Sequence, residues 1–222
     1  MPRRTRWFAL CLCCAALLQA GGCAAPTPTD YGAYRAHLPR SVLVLPPLNQ
    51  SVHVNAPYSY LSTVSQPLAE AGYYVFPVAV VDAFMKENGL PTPGEMHEVP
   101  LDKLGEVFGA NAVLYVLIED YGQKYQVLSS TTIVRAKAKL VDIPTGTTLW
   151  EGGAQVAQGS GDSGGGIIGM LITAAVAQMI NSTADSAHPL AAQANTQMVF
   201  DPNHGFLLGP YHPGHEADAR GR

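Results

Sequence analysis

Beyond residue 23 the sequence contains no cysteine; Cys11, Cys13, Cys14 and Cys23 are the only four. A disulfide framework, a zinc–cysteine site and a cysteine nucleophile are therefore excluded from the body of the chain. Charge is also scarce. Asp, Glu, Lys and Arg make up 14% of the 222 residues, and none lies between Asp162 and Asp185. Without Arg3, Arg4 and Arg6, the 13 basic residues fall to 10 against 17 acidic ones, a net charge near −7. So acidic a chain is not built to grip nucleic acid. No segment reads as a basic amphipathic membrane helix. Phosphate-binding loops are missing as well: the glycine-rich stretch lacks the Lys-Ser/Thr of a P-loop and does not fit G-x-G-x-x-G after a first strand.

The front of the chain has a clear pattern. Arg3, Arg4 and Arg6 precede the apolar run "WFALCLCCAALL" (Trp7 to Leu18), a basic n-region and h-region of signal-peptide length. The run is short of the roughly 20 apolar residues that cross a bilayer. "LLQAGGCAAP" then leads small residues into Cys23, a pattern that resembles the lipobox of bacterial lipoproteins. The resemblance implies cleavage between Gly22 and Cys23, acylation of Cys23, and an anchor in which two or three acyl chains hold where one is marginal. Ala24, where inner-membrane retention favours Asp, points to the outer membrane. The layout expected is a signal peptide over 1–22, a lipidated Cys and flexible tether over 23–37, one α/β domain over 38–209, and an irregular tail over 210–222.

Within the domain, "SVLVLPP" (Ser41 to Pro47) is a strand buried on both faces. "YSYLSTVSQPLAEAG" reads as a helix from near Tyr58 that ends at Gly72, a C′ glycine, with Pro67 inside it. "YYVFPV" (Tyr73 to Val78) reads as a second strand. "VVDAFMKENG" is a helix with Val81, Phe84 and Met85 on one face. "LPTPGEMHEVP" reads as loop, "LDKLGEVFG" as a short helix and "NAVLYVLIED" as a third buried strand. Crossovers of this kind build a largely parallel sheet with helices on it. "TTIVRAKAKLVD" alternates strictly, with Val134, Ala136, Ala138 and Leu140 on one face and Arg135, Lys137 and Lys139 on the other, so it is a half-exposed strand. "IPTG" turns it into "TTLWEGGAQVAQG". The fold class expected is α/β, a mixed sheet with an antiparallel hairpin at its edge. "ADSAHPLAAQANTQMVF" carries a last helix beyond Pro189.

"GDSGGG" (Gly161 to Gly166) spells the loop around the nucleophile of chymotrypsin-like proteases. Those enzymes are two β-barrels with a triad in the order His, Asp, Ser, whereas this chain alternates strand and helix. A serine hydroxyl is weak without a base held by a third group, and His37, His53 and His97 lie in loop-like sequence. Ser163 is better read as part of a glycine turn into a helix. After it, Gly165, Gly169, Thr173 and Ala177 recur every four residues, a small-residue stripe suited to close helix packing and the expected dimer or partner surface. Arg135, Lys137 and Lys139 form a positive stripe, either a solvated face with cross-strand partners such as Glu151 or a contact for an acidic partner. His204, His212 and His215 fall in a Pro/Gly-rich tail without a carboxylate at fixed spacing, which argues against a metal. No cofactor is expected.

Five phrases stand in order along the chain: "SVLVLPPLNQS", "PLAEAGYYVFPV", "GANAVLYVLIEDYGQKY", "VDIPTGTTLWEG" and "GSGDSGGGIIGMLITAAVAQMIN". Together with "GPYHP" they resemble the bacterial lipoprotein family typified by the genome-derived neisserial antigen, long classed as a domain of unknown function. The resemblance implies a fold like the amino-terminal domain of TolB. It also implies a homodimer and an accessory, non-enzymatic role in envelope transport or assembly beside a curli-secretion-like lipoprotein. The domain would face the periplasm. No catalytic residue comes with the family. The alternative from the residues is a peptidoglycan or small-ligand binding module at the C-terminal edge of the parallel strands; the resemblance also implies, as a further alternative, a regulator of a peptidoglycan synthase.

Overall fold

The computed structural model describes residues 29–126, 129–159 and 185–221. In chain order the elements are α1 (Gly32–His37), β1 (Ser41–Val44), β2 (Leu48–Asn49), α2 (Ala56–Glu70), β3 (Tyr74–Val75), α3 (Val78–Glu87), α4 (Pro93–His97), α5 (Leu101–Phe108), β4 (Ala112–Gln126), β5 (Ser129–Asp142), β6 (Thr148–Gly159), α6 (His188–Phe200) and α7 (His215–Gly221).

The strands form one six-stranded mixed sheet in the order β3-β1-β4-β5-β6, with β2 also on β4. β1 runs parallel to β3 and β4, and β2 parallel to β4. β4, β5 and β6 form an antiparallel meander. The α/β class and the hairpin after Asp142 are as the sequence implies. The antiparallel part is larger than its sequence signature, because β4 runs on from Asp120 to Gln126.

Burial on both faces explains β1. Val42 and Val44 point into one apolar cluster, with α2 and α6, while Leu43 and Leu45 point into another, with α3, α4 and α5. Pro46 and Pro47 have no N–H to give the ladder, so pairing lapses and resumes at Leu48, further along the same neighbour. β5 alternates as expected: Val134, Ala136, Ala138 and Leu140 are buried, and Lys137 and Lys139 are exposed.

Some elements differ from their sequence reading. Tyr73 to Val78 yields a strand of only two residues, because Pro77 caps α3 and Val78 is already helical. The stretch read as loop contains α4, whose Thr92 and Glu95 form a reciprocal capping box, a recognisable T-x-x-E start. α6 begins at His188, just before Pro189. Tyr31 and Tyr34, in the stretch read as tether, are buried in the core, and the tail read as irregular contains α7. Aromatic contacts explain the first, since Tyr34 packs edge-on to Phe206 and the hydroxyl of Tyr31 donates to the carbonyl of Gly205; α7 is tied back at Leu208, whose N–H donates to Asp218 and whose carbonyl meets His215.

Candidate functional site

Among the described residues, the two faces of the sheet are not equally covered. α2 and α6 pack across one face from β1 to β6. On the other face α3, α4 and α5 cover β1 and the start of β4, and their cluster reaches only the end of β5, at Val141 and at Ile143 just beyond it. The remaining surface of β4, β5 and β6 is a groove of about 500 Å³. Leu48, Tyr115, Leu117 and Gly153 contribute to its lining, with Lys137, Lys139, Glu151 and His97 around them.

Register explains how the groove forms. Tyr115 lies opposite Lys139, which lies opposite Glu151; Leu117 lies opposite Lys137, which lies opposite Gly153. Directly opposed residues share a face, so two apolar residues of β4, two lysines of β5 and a glycine of β6 meet on one surface. A Cβ at Gly153 would lie 2.6 Å from the carbonyl oxygen of Ala136, so close strand approach itself requires glycine and leaves the notch.

The positive stripe is neutralised along its length. Lys137 pairs with Glu119 at 2.5 Å, Arg135 with Asp120 at 3.4 Å, and Lys139 with Glu151 at 3.6 Å. The Nε of Arg135 also donates to Gln155 at 2.7 Å. The stripe therefore has cross-strand partners, Glu151 included. His97 closes the groove from α4, bonded to the carbonyl of Pro46 at 2.9 Å and edge-on to Tyr115 at 5.2 Å between centroids. Burial lowers its pKa, outweighing the carbonyl that favours the charged form. Burial likewise raises the Tyr115 hydroxyl. The result is an apolar floor inside a rim of paired charges.

A second cluster lies at the N-terminal end of α2. Tyr121 donates to Ser59 and Ser59 donates to Asp185, at 2.5 and 2.6 Å; Tyr121 also reaches Asp185 at 2.9 Å. Partial burial pushes the Asp185 carboxyl up, but these hydroxyls and the backbone N–H groups of Ala187 and His188 prevail and hold it low. Beside it Ser62 lies 3.1 Å from Nε2 of His188. The Ser62 hydroxyl gives its proton to the carbonyl of Ser59 at 2.7 Å. The imidazole is then the donor to Ser62, the reverse of a base that activates a nucleophile.

The remaining candidates are dispersed. Nδ1 of His204 meets Thr29 Oγ1 at 2.7 Å, Nδ1 of His212 accepts from the N–H of Gly214, and His215 meets the carbonyl of Leu208. Among the described residues no three His, Cys, Asp or Glu side chains converge as a metal site, and no helix is long and apolar enough to cross a membrane. Gly22, Cys23, Ser163, Gly165, Gly169, Thr173 and Ala177 lie outside the described residues. Sequence reasoning missed Tyr115, Leu117, His97 and Gly153 as neighbours; the period-2 pattern of each strand was visible, but which rows would stay uncovered was not.

Among the described residues, a mixed sheet helix-covered on one side and partly grooved on the other defines the class, an α/β domain with a sheet-face groove. Within that class the chain belongs to the family described as "Putative lipoprotein GNA1162-like", whose model matches residues 29–211. It is therefore a member of a lipoprotein family, which implies a membrane-anchored place in the cell envelope. Over 182 residues it is 43% identical to the lipoprotein NMB1124/NMB1162 of Neisseria meningitidis serogroup B, covering 82% of this chain and 85% of that one. The crystal structure of lipoprotein GNA1162 from Neisseria meningitidis matches at a TM-score of 0.54 and 48% identity, over 65% of this chain and all of that chain. The PelC dodecamer from Paraburkholderia phytofirmans shares 15% identity at a TM-score of 0.45, over 81% of this chain and 96% of that one.

Proposed function

We propose that this protein is a non-enzymatic accessory subunit of the envelope, acylated at Cys23, held at the outer membrane and facing the periplasm. In this reading the groove on β4, β5 and β6 docks a protein partner, a curli-secretion-like lipoprotein. The observation that carries the reading is the apolar floor of Tyr115, Leu117 and Leu48, left uncovered among the described residues, inside a rim of paired charges. Such a surface suits an apolar side chain of a partner, with the rim providing specificity. The stripe of Gly165, Gly169, Thr173 and Ala177 serves self-association into a homodimer.

The test is photo-crosslinking in intact cells, with reactive side chains placed at Lys137 and Gln155, both on the groove side of the sheet. The reading expects an adduct with a curli-secretion-like lipoprotein that disappears in Leu117→Glu. An adduct insensitive to Leu117→Glu, or none, sinks the docking role. Metabolic palmitate labelling lost in Cys23→Ala tests the anchor separately, and the sedimentation of Gly169→Leu tests the dimer. A second reading has one feature in its favour: the half-buried Tyr115 ring beside His97 offers a sugar ring an apolar platform. Retention on purified peptidoglycan that is lost in Tyr115→Ala would select that alternative.

A further inference from the structure

One end of the molecule gathers the first described residue, the C-terminal stretch and several aromatic side chains. Thr29 is held to His204 at 2.7 Å, Tyr31 to the carbonyl of Gly205 at 2.6 Å, and the hydroxyls of Tyr34 and Tyr73 are 2.8 Å apart. The carbonyl of Gly72 accepts from the N–H of Tyr211, and the carbonyl of Arg40 from the N–H of Tyr74. Thr29, Arg40, Tyr74 and Tyr211 therefore belong to the same end. Phe206 is the buried centre of this region, edge-on to Tyr34, Tyr73 and Trp150.

Not every aromatic ring there is used by the core. Tyr74 is 53% exposed and Tyr211 66%, and Arg40 is exposed beside Tyr74. Tyrosine has an apolar body and a polar tip, the combination that settles at a headgroup boundary. Chain length adds an independent constraint. Five residues lie between Cys23 and Thr29, so six Cα–Cα steps join them and span at most about 21 Å. β4 alone, with 15 residues, is roughly 48 Å long. An acyl group on Cys23 thus keeps the Thr29 end near the bilayer and leaves no room for a second protein domain between them. The loop from Ser51 to Asn55 follows the last pairings of β2, at the other end of the parallel strands.

We infer that the end bearing Arg40, Tyr74 and Tyr211 rests on the lipid headgroup layer, with the two tyrosine rings at the interface. The β4–β5 hairpin and the Ser51–Asn55 loop then point away from the membrane. This orientation rests on the acylation of Cys23 proposed above.

The absence of cysteine beyond residue 23 allows a clean test. The full acylated protein is attached to vesicles of phosphatidylethanolamine with a minor share of phosphatidylglycerol, carrying a nitroxide on one introduced cysteine. The three positions are Tyr74→Cys, Tyr211→Cys and, at the far end, Val52→Cys, where Val52 is 93% exposed. Labels at 74 and 211 are expected to lose collisions with a water-soluble nickel chelate and gain collisions with oxygen on attachment, while the label at 52 does not change. Equal nickel access at all three positions, or shielding at 52 instead, overturns the orientation. A protein that never sediments with the vesicles refutes the anchor itself, a failure visible before any label is read.

Discussion

Gly72 and His212 make a contact that a side chain at position 72 would forbid. A Cβ there would lie 2.4 Å from the backbone nitrogen of His212, and Gly72 has a φ of +88°. The glycine ends α2 and lets the C-terminal stretch cross directly over it, where the carbonyl of Gly72 accepts from Tyr211. Gly122 offers a comparison. Its φ is +100°, but the atom nearest a Cβ is Nε2 of His53, the tip of an exposed side chain that can swing away.

The two glycines should therefore differ in cost. Gly122→Ala should lose about 1–2 kcal/mol from the left-handed backbone alone. Gly72→Ala should lose that and a further ~1–3 kcal/mol, because a backbone segment must move to relieve the overlap. Urea unfolding of both variants measures the difference. His53→Ala in the Gly122→Ala background should recover little, since the cost there lies in the backbone.

Acid stability should depend on Asp185. Its folded pKa is held below the ordinary value, so the unfolded chain binds the proton more readily. The stability it contributes is present above the unfolded pKa, near 3.9, and is lost as pH falls through the lower folded value. Unfolding followed from about pH 6 downwards should show a smaller acid loss in Asp185→Asn than in the unaltered protein. Tyr121→Phe, which removes one of the hydroxyls on that carboxylate, should fall between them. Identical acid profiles in all three would show that the hydroxyl cluster does not set the carboxyl's affinity for protons.

Legibility followed the number of faces each segment buries. β1 and β5 were readable because each is long enough for its pattern to register: continuous apolar residues where both faces are covered, strict alternation where one is open. β3 was not, since two residues carry no period and its boundary is set by Pro77. The burial of Tyr31 and Tyr34 depends on Phe206, some 170 residues later, and no local pattern announces such a contact. The stripe of Arg135, Lys137 and Lys139 was legible as a face. Its neutralisation by Glu119 and Asp120 was not, because a bulge between Ile118 and Asp120 shifts the register that brings them across.

The pair of Lys139 and Glu151 should contribute little to stability. They lie directly opposite in the sheet, but their contact is 3.6 Å with both side chains about half exposed or more. Exposed pairs of this kind contribute roughly 0.2–1 kcal/mol. Glu151→Gln should therefore shift the unfolding midpoint only slightly, and added salt should erase the shift. A large loss that survives high salt would mean that Glu151 supports the sheet through something other than charge.

The polar contact inside the helical layer should behave differently. The Nδ2 of Asn195 on α6 donates to Oγ1 of Thr63 on α2 at 2.9 Å, and Thr63 in turn donates to the carbonyl of Tyr60. Asn195 is fully buried and Thr63 nearly so. Thr63→Val keeps the shape but leaves the amide of Asn195 without an acceptor, which costs about 1–3 kcal/mol when the group is buried. Asn195→Leu removes the stranded donor, so Thr63→Val should cost much less in that background. The expected result is a coupling of roughly 0.5–3 kcal/mol in a double-mutant cycle of urea unfolding. Strict additivity would mean that the two helices are held by apolar packing alone, with the Leu190, Ala191, Ala194 and Met198 face of α6 as the whole of the contact.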